Sequence, residues 1–165
     1  MKITALEEYG LRCLLRVARA DQGNPISAQT IADLEGLSLP YTQKILRTLT
    51  KGELIRAKRG VYGGYMLTRP VEEISVGDAV RVLGGVFDVA DICERHTGEL
   101  STCSHQGTCT IRPIWSHIAE FIVRTLESVS LAVLLESDEH VETYLNRVAP
   151  MPEEMYCPAS EFAAQ

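Results

Sequence analysis

Three of the five cysteines fall within CERHTGELSTCSHQGTCTIRPIW, residues 93–115. Cys93, Cys103 and Cys109 stand there among Gly, Ser, Thr, His and charged residues, too polar a segment to pack a core around them. A free cysteine usually behaves as a small buried hydrophobe. Cysteines gathered in a polar loop suggest metal or redox chemistry sooner than disulfides in a reducing compartment. The residue types leave two forms of that chemistry open. One is a zinc site of three thiolates completed by His96 or His105; the other is a set of unligated thiols acting as a redox switch.

The rest of the chain must position this loop. MKITALEEYG acquires two carboxylates before any apolar run develops, so the N-terminus does not read as a signal peptide. The longest apolar run, Leu131 to Leu135, is too short to span a bilayer. A cytoplasmic protein is therefore expected. Thr4 with Glu7 forms a capping-box signature for a helix to about Ala20, on which Leu6, Tyr9, Cys13, Leu14, Val17 and Ala18 form an apolar stripe. Cys13 belongs to that stripe as a packed thiol, and Glu8 lies off it. Ser27 is placed to cap a helix carrying Ile31 and Leu34 and stopped by Gly36. Ser38 is placed to cap another, with Pro40 in its first turn and Ile45, Leu46 and Leu49 facing inward. LIRAK and GYMLT read as two strands joined through RGVYG. Two short helices followed by a hairpin are the layout of a winged helix-turn-helix.

The charge distribution agrees. The whole chain carries −6. Between Ser38 and Pro70, Lys44, Arg47, Lys51, Arg56, Lys58, Arg59 and Arg69 face a single acid, Glu53, which leaves that segment at +6 and the remainder at −12. A basic face on an acidic body can track DNA phosphates. Tyr41, Gln43, Lys44 and Arg47 on the second helix, with Arg59 at the hairpin tip, are of types that read base edges and phosphates. Ser38 at the helix start and Tyr62 in the wing complete the expected DNA-binding set.

Beyond the hairpin, Ser75 is placed to cap a helix through Leu83 that ends at Gly84-Gly85. Pro113 opens a long helix on which Trp115, Ile118, Ile122, Leu126, Val129 and Val133 step by threes and fours, until Ser128 to Ser130 break it. Such a seam must be buried. The partner is either the rest of the helix's own domain or a second copy of the chain, and a homodimer suits a reader of palindromic double-stranded DNA. The fold expected is mostly α with a small β-hairpin wing: a winged helix-turn-helix domain over 1–84, a cysteine-rich loop over 85–112, a dimerisation helix and short helices over 113–148, and a flexible tail over 149–165. Cys157 in that tail reads as a surface thiol. There is no CxxC, no GxxxxGK and no HExxH, so an enzyme is not expected.

KITALEEYGLRCLL, SLPYTQKILRTLTKGELI, RGVYGGYMLTRP, EEISVGDAVRVLGG and the CxxxxxC-then-RPIW close of the loop together carry a resemblance. From Met1 to about Glu136 the chain resembles the bacterial winged-helix iron–sulfur transcription regulators of the IscR/NsrR type, the Rrf-type family. The resemblance implies a homodimer joined by the long helix, and an iron–sulfur cluster held by Cys93, Cys103 and Cys109, [2Fe-2S] before [4Fe-4S]. Thiolates with a few residues between them suit such a cluster. Three features depart from the pattern. The nine residues between Cys93 and Cys103 make a longer interval than the resemblance leads one to expect. Arg112 stands where IscR-like members carry a histidine, and a guanidinium offers no lone pair. Gln43 stands where an acidic residue helps select operator sites in those members. The fourth ligand is then sought among Glu8, His96, His105 and Cys157. Glu8 matches the first-helix carboxylate of NsrR-like members and is preferred, with His105 second. The function expected is a dimeric sequence-specific regulator sensing redox state, nitric oxide or iron–sulfur status. The alternative is a cluster-free member of the same family acting by thiol oxidation, metabolite or partner-protein binding.

Overall fold

The computed structural model describes residues 3–20, 24–60, 62–85 and 94–150. Cys93, Cys157 and most of the expected tail lie outside them. Helix α1 (Ala5–Ala20) starts at the expected capping box: the Thr4 amide donates to Glu7 Oε2 at 2.6 Å and the Glu7 amide to Thr4 Oγ1 at 3.3 Å. Ser27 caps α2 (Ala28–Glu35) through the Thr30 amide, and Gly36 ends it. Helix α3 (Leu39–Lys51) follows at once. Strands β1 (Ile55–Lys58) and β2 (Gly64–Leu67) then pair antiparallel, with Ile55 opposite Leu67 and Lys58 opposite Gly64. After a 3-10 turn at Val71–Glu73, a full Ser75–Asp78 capping box opens α4 (Val76–Leu83). Beyond the cysteine loop come α5 (Arg112–Ser128), α6 (Leu131–Leu134) and α7 (Asp138–Val148). Among the described residues, no helix is long and apolar enough to cross a membrane.

The core gathers on α1. Cys13, Leu14 and Val17 are fully buried against Ile31 from α2, Ile45, Leu46 and Leu49 from α3, Ile55 and Leu67 from the hairpin, Leu83 from α4 and Leu131 from α6. This is the winged helix-turn-helix arrangement, mostly helical with a two-stranded wing. The wing is tied back at its root by an isolated bridge, in which Ile26 and Tyr65 exchange amide hydrogen bonds at 3.0 and 2.8 Å.

Of the two apolar residues named for α2, Ile31 is buried but Leu34 is 52% exposed, and the helix buries Ala32 and Glu35 with Ile31. The reason is electrostatic. Arg12 and Arg16 of α1 each reach Glu35 at 2.5 Å, which turns the carboxylate side of α2 toward α1 and rolls Leu34 outward. The seam of α5 also divides. Ile122, Val123 and Leu126 are half-buried beside α1 and α4, whereas Ile111, Ile114, Trp115, Ile118 and Phe121 are exposed. A single helix seam has met its own domain with only its C-terminal half.

Helix α4 lies tight on that half. A Cβ at Gly77 would stand 2.7 Å from Glu127 Cγ and 3.0 Å from the Glu127 amide nitrogen. Arg81 pairs with Glu127 across the same crossing. Gly77→Ala must push two helix backbones apart, and overpacking of this kind costs roughly 1–3 kcal/mol. Urea denaturation of Gly77→Ala should show that loss.

Burial alone would push the Glu35 carboxyl up, but hydrogen bonds and charge from Arg16 and Arg12 outweigh it and hold its pKa below the usual range. A carboxyl with a depressed folded pKa contributes stability above its unfolded value of about 4.3 and loses it as pH falls through the folded value. Wild-type stability measured by denaturant titration should therefore exceed that of Glu35→Gln at pH 7. The gap should narrow once the pH falls below about 4.

Candidate functional site

The first candidate surface is α3 with the wing. Lys44, Arg47 and Lys51 are exposed on α3, as are Arg56, Lys58 and Arg59 on and beyond β1. With Pro40, the exposed α3 residues make one stripe at spacings of four, three and four. Pro40 and Lys51 were absent from the DNA-binding set read from the sequence, although this periodicity marks them. Gln43 lies half-buried at the edge of the stripe. Tyr41 lies away from it, half-buried, with its ring edge-on to Tyr9 at 6.2 Å between centroids and 86° between planes. Arg12 in turn sits over the Tyr9 ring, 5.5 Å from its centroid. The hydroxyl of Ser38, at the head of α3, caps no amide of its helix. Tyr62 is 89% exposed in the wing. Arg69, the last base of the positive segment, is turned toward the protein, donating to the Glu73 carbonyl at 3.2 Å and lying 3.7 Å from Asp78.

The second candidate is the cysteine loop. Between residues 98 and 118, Cys103 and Cys109 are the residues that are not fully exposed. The Arg112 amide, first in α5, donates to Cys109 Sγ at 3.3 Å. Backbone turns fold the loop around them, with Gln106 N–H donating to the Cys103 carbonyl and Thr108 N–H to that of His105. Cys103 borders a cavity of about 250 Å³ with Glu94, Thr97, Ser101, Thr102, Gln106 and Arg112. His96 and His105 are exposed. Half-covered thiols with an amide aimed at one sulfur are what a metal–thiolate site requires, since such donors orient and tune the ligand. These two residues fit two of the three expected cysteine ligands; Cys93 lies outside the described residues.

Glu8 is exposed at the rim of a different cavity, of about 410 Å³, between the start of α1, α4 and the C-terminal half of α5. The two cavities share no lining residue. Among the described residues, no three His, Cys, Asp or Glu gather closely enough to hold an ion, so Glu8, Cys103 and Cys109 are not brought together within one chain.

Known proteins place this geometry. Residues 3–137 match the family described as Rrf2, iron-dependent transcriptional regulator. Protein rrf2 of Nitratidesulfovibrio vulgaris is 34% identical over 135 residues, covering 82% of this chain and 87% of that one. The HTH-type transcriptional regulator IscR of Yersinia pseudotuberculosis is 28% identical, covering 86% and 84%. Among solved structures, CymR, the global cysteine regulator of B. subtilis, aligns with a TM-score of 0.66 at 28% identity, over 82% of this chain and 96% of that one. T. potens IscR aligns with a TM-score of 0.64 over 98% and 96%; at 24% identity this concerns the fold alone.

Among the described cysteines, Cys13 is fully buried whereas Cys103 and Cys109 are half-covered. Burial pushes the Cys13 thiol up to about 11, with the Glu35 charge adding to it. At pH 8 only about one Cys13 in a thousand is then thiolate, the form that reacts. Alkylation of the metal-free protein followed by peptide mass spectrometry should modify Cys103 and Cys109 first. Cys13 should react only after denaturant is added.

Proposed function

The chain belongs to the Rrf2 family of transcriptional regulators, and we propose that within it this protein is a homodimeric, sequence-specific operator binder regulated through an iron–sulfur cluster. That it is a DNA-binding regulator rather than an enzyme follows from the family. The cluster reading is carried by one observation: in the otherwise exposed stretch of residues 98–118, Cys103 and Cys109 are half-covered and Cys109 Sγ takes the first amide of α5. Cys93, Cys103 and Cys109 are the proposed cysteine ligands, with [2Fe-2S] favoured. Glu8 is the proposed fourth. Because Glu8 is not gathered with Cys103 and Cys109 among the described residues of one chain, it would come from the partner subunit.

The bare N-terminal half of α5 supports the dimer. Ile111, Ile114, Trp115, Ile118 and Phe121 recur at helical spacing and are all exposed. A second copy of the same face buries them and sets the two α3 helices against successive major grooves, about 34 Å apart. Cys93, Cys103 and Cys109 would hold the cluster, which would supply redox-responsive iron, and without it the loop thiolates would lose their common partner. Arg112 joins that loop to α5 through both its chain position and its amide bond to Cys109. A change in loop order therefore acts on the start of the helix that spaces the readers. On DNA, Lys44, Arg47, Lys51, Lys58 and Arg59 neutralise phosphates, while Gln43, half-buried at the edge of the stripe, would favour adenine. Ser38 and Tyr62 add hydroxyl contacts to the backbone. Tyr41 acts from behind, through its packing on Tyr9.

Anaerobic purification should give a coloured protein containing iron and acid-labile sulfide, and Cys103→Ala or Cys109→Ala should remove both. Glu8→Ala should leave a labile cluster with an altered spectrum, and His105→Ala should change little; the reverse order would move the fourth ligand to the loop. A colourless wild type that still binds its operator would favour the cluster-free reading, in which Cys103 and Cys109 act as oxidisable thiols. Ile118→Glu should turn the dimer into monomers by sedimentation. Operator binding should weaken by roughly 0.9 log units per neutralised phosphate per decade of salt, and Arg59→Ala should soften that slope.

A further inference from the structure

The outward stripe of α3 has an unusual head. Residues near the N-terminus of a recognition helix make the base contacts, so the first turn decides what is read there. Leu39 is half-buried, and Tyr41 is half-buried against the edge of Tyr9. Thr42 is fully buried, with its hydroxyl bonded to the Ser38 carbonyl. Ser38 stands at the helix boundary, where contacts go to the backbone. The first residue in line with exposed Lys44, Arg47 and Lys51 is Pro40, itself exposed. Its side chain has neither donor nor acceptor, so it cannot answer any of the polar features that adenine, guanine or cytosine displays in the major groove. The one apolar feature of unmodified DNA in that groove is the 5-methyl group of thymine. The pyrrolidine ring is also rigid, and burying it costs no rotamer freedom.

We infer that Pro40 is a specificity-determining residue that reads a thymine methyl at one position of each operator half-site. The inference rests on the DNA-binding reading above and adds the base selected at the helix start. Lys44 and Arg47, one and two turns further along the stripe, supply charge to the neighbouring phosphates and bases. Any contribution from Gln43 belongs to a position read from the stripe's edge.

The test uses the full-length protein and a duplex selected from random DNA for tight binding. In this duplex each thymine is replaced in turn by deoxyuridine, which removes only the methyl group. Fluorescence anisotropy should show wild-type affinity falling roughly three- to fivefold at one thymine per half-site, the loss expected for one buried methyl. Pro40→Ser should bind the thymine duplex more weakly and be indifferent to deoxyuridine at that position. Pro40→Val, which keeps an apolar surface, should retain the sensitivity, and Arg47→Ala should retain it while lowering the salt slope. Uniform indifference of the wild type to deoxyuridine overturns the inference, as does an unchanged sensitivity in Pro40→Ser. Failure to recover any duplex bound in a salt-dependent way overturns the operator reading itself, and this inference with it.

Discussion

One face of α1 is removed from water completely, and the winged unit is organised by what that face must be covered with. Cys13, Leu14 and Val17 are too apolar to leave exposed. The helix that carries them also bears Arg12 and Arg16 at their border. Burying the face therefore brings α2 close enough for Glu35 to leave water, and the two guanidiniums keep its carboxylate charged. The same helix presents Glu8 to a cavity, Tyr9 to the recognition helix and Gly10 to Leu83, whose side chain a Cβ there would meet at 2.4 Å. Core and functional surfaces thus share one element, and displacing α1 disturbs all of them.

The parts of the fold decided within a few residues were legible in the sequence. The Thr4–Glu7 capping box, the Ser27 and Ser75 caps, the turn at Gly36 and the break after Ser128 follow from short-range hydrogen bonding and appear as read. Ser38 is the partial exception: its position heads α3, but its hydroxyl makes no capping bond. What escaped the sequence depends on distant partners. Periodicity alone assigns Leu34 to an inward face, and only the approach of α1 shows that Glu35 takes that side. Nor can spacing tell which half of the α5 seam its own domain covers, because Gly77 and Glu127 meet across a long stretch of chain.

The site divides along the same line. Basic residues on α3 and beyond β1 could be identified by type and spacing, and they are exposed together. Tyr41 was set on the outer face because tyrosine suits both a core and a groove; its packing on Tyr9 decides otherwise. Proline in a first turn already has a structural explanation, so residue type alone does not mark Pro40 as part of the outward face. For the cysteine loop, composition suggests ligand chemistry, and between residues 98 and 118 Cys103 and Cys109 are the half-covered residues. A ligand set that joins the loop to Glu8 involves two surfaces of the chain that line separate cavities, and no local pattern records such a meeting.

The bridge between Ile26 and Tyr65 bears on the DNA as much as on the protein. It fastens the wing root to the segment entering α2, and Gly64 leaves no room there, since a Cβ would fall 2.5 Å from the Ile26 carbonyl oxygen. On an operator, a wing held at its root would keep its separation from the entry to α2. A mismatch with the local groove width would then fall partly on bending and twisting of the double helix. Deformable pyrimidine–purine steps bend at lower energetic cost than stiff A-tracts. Base pairs that no side chain touches thereby enter operator choice through their mechanics.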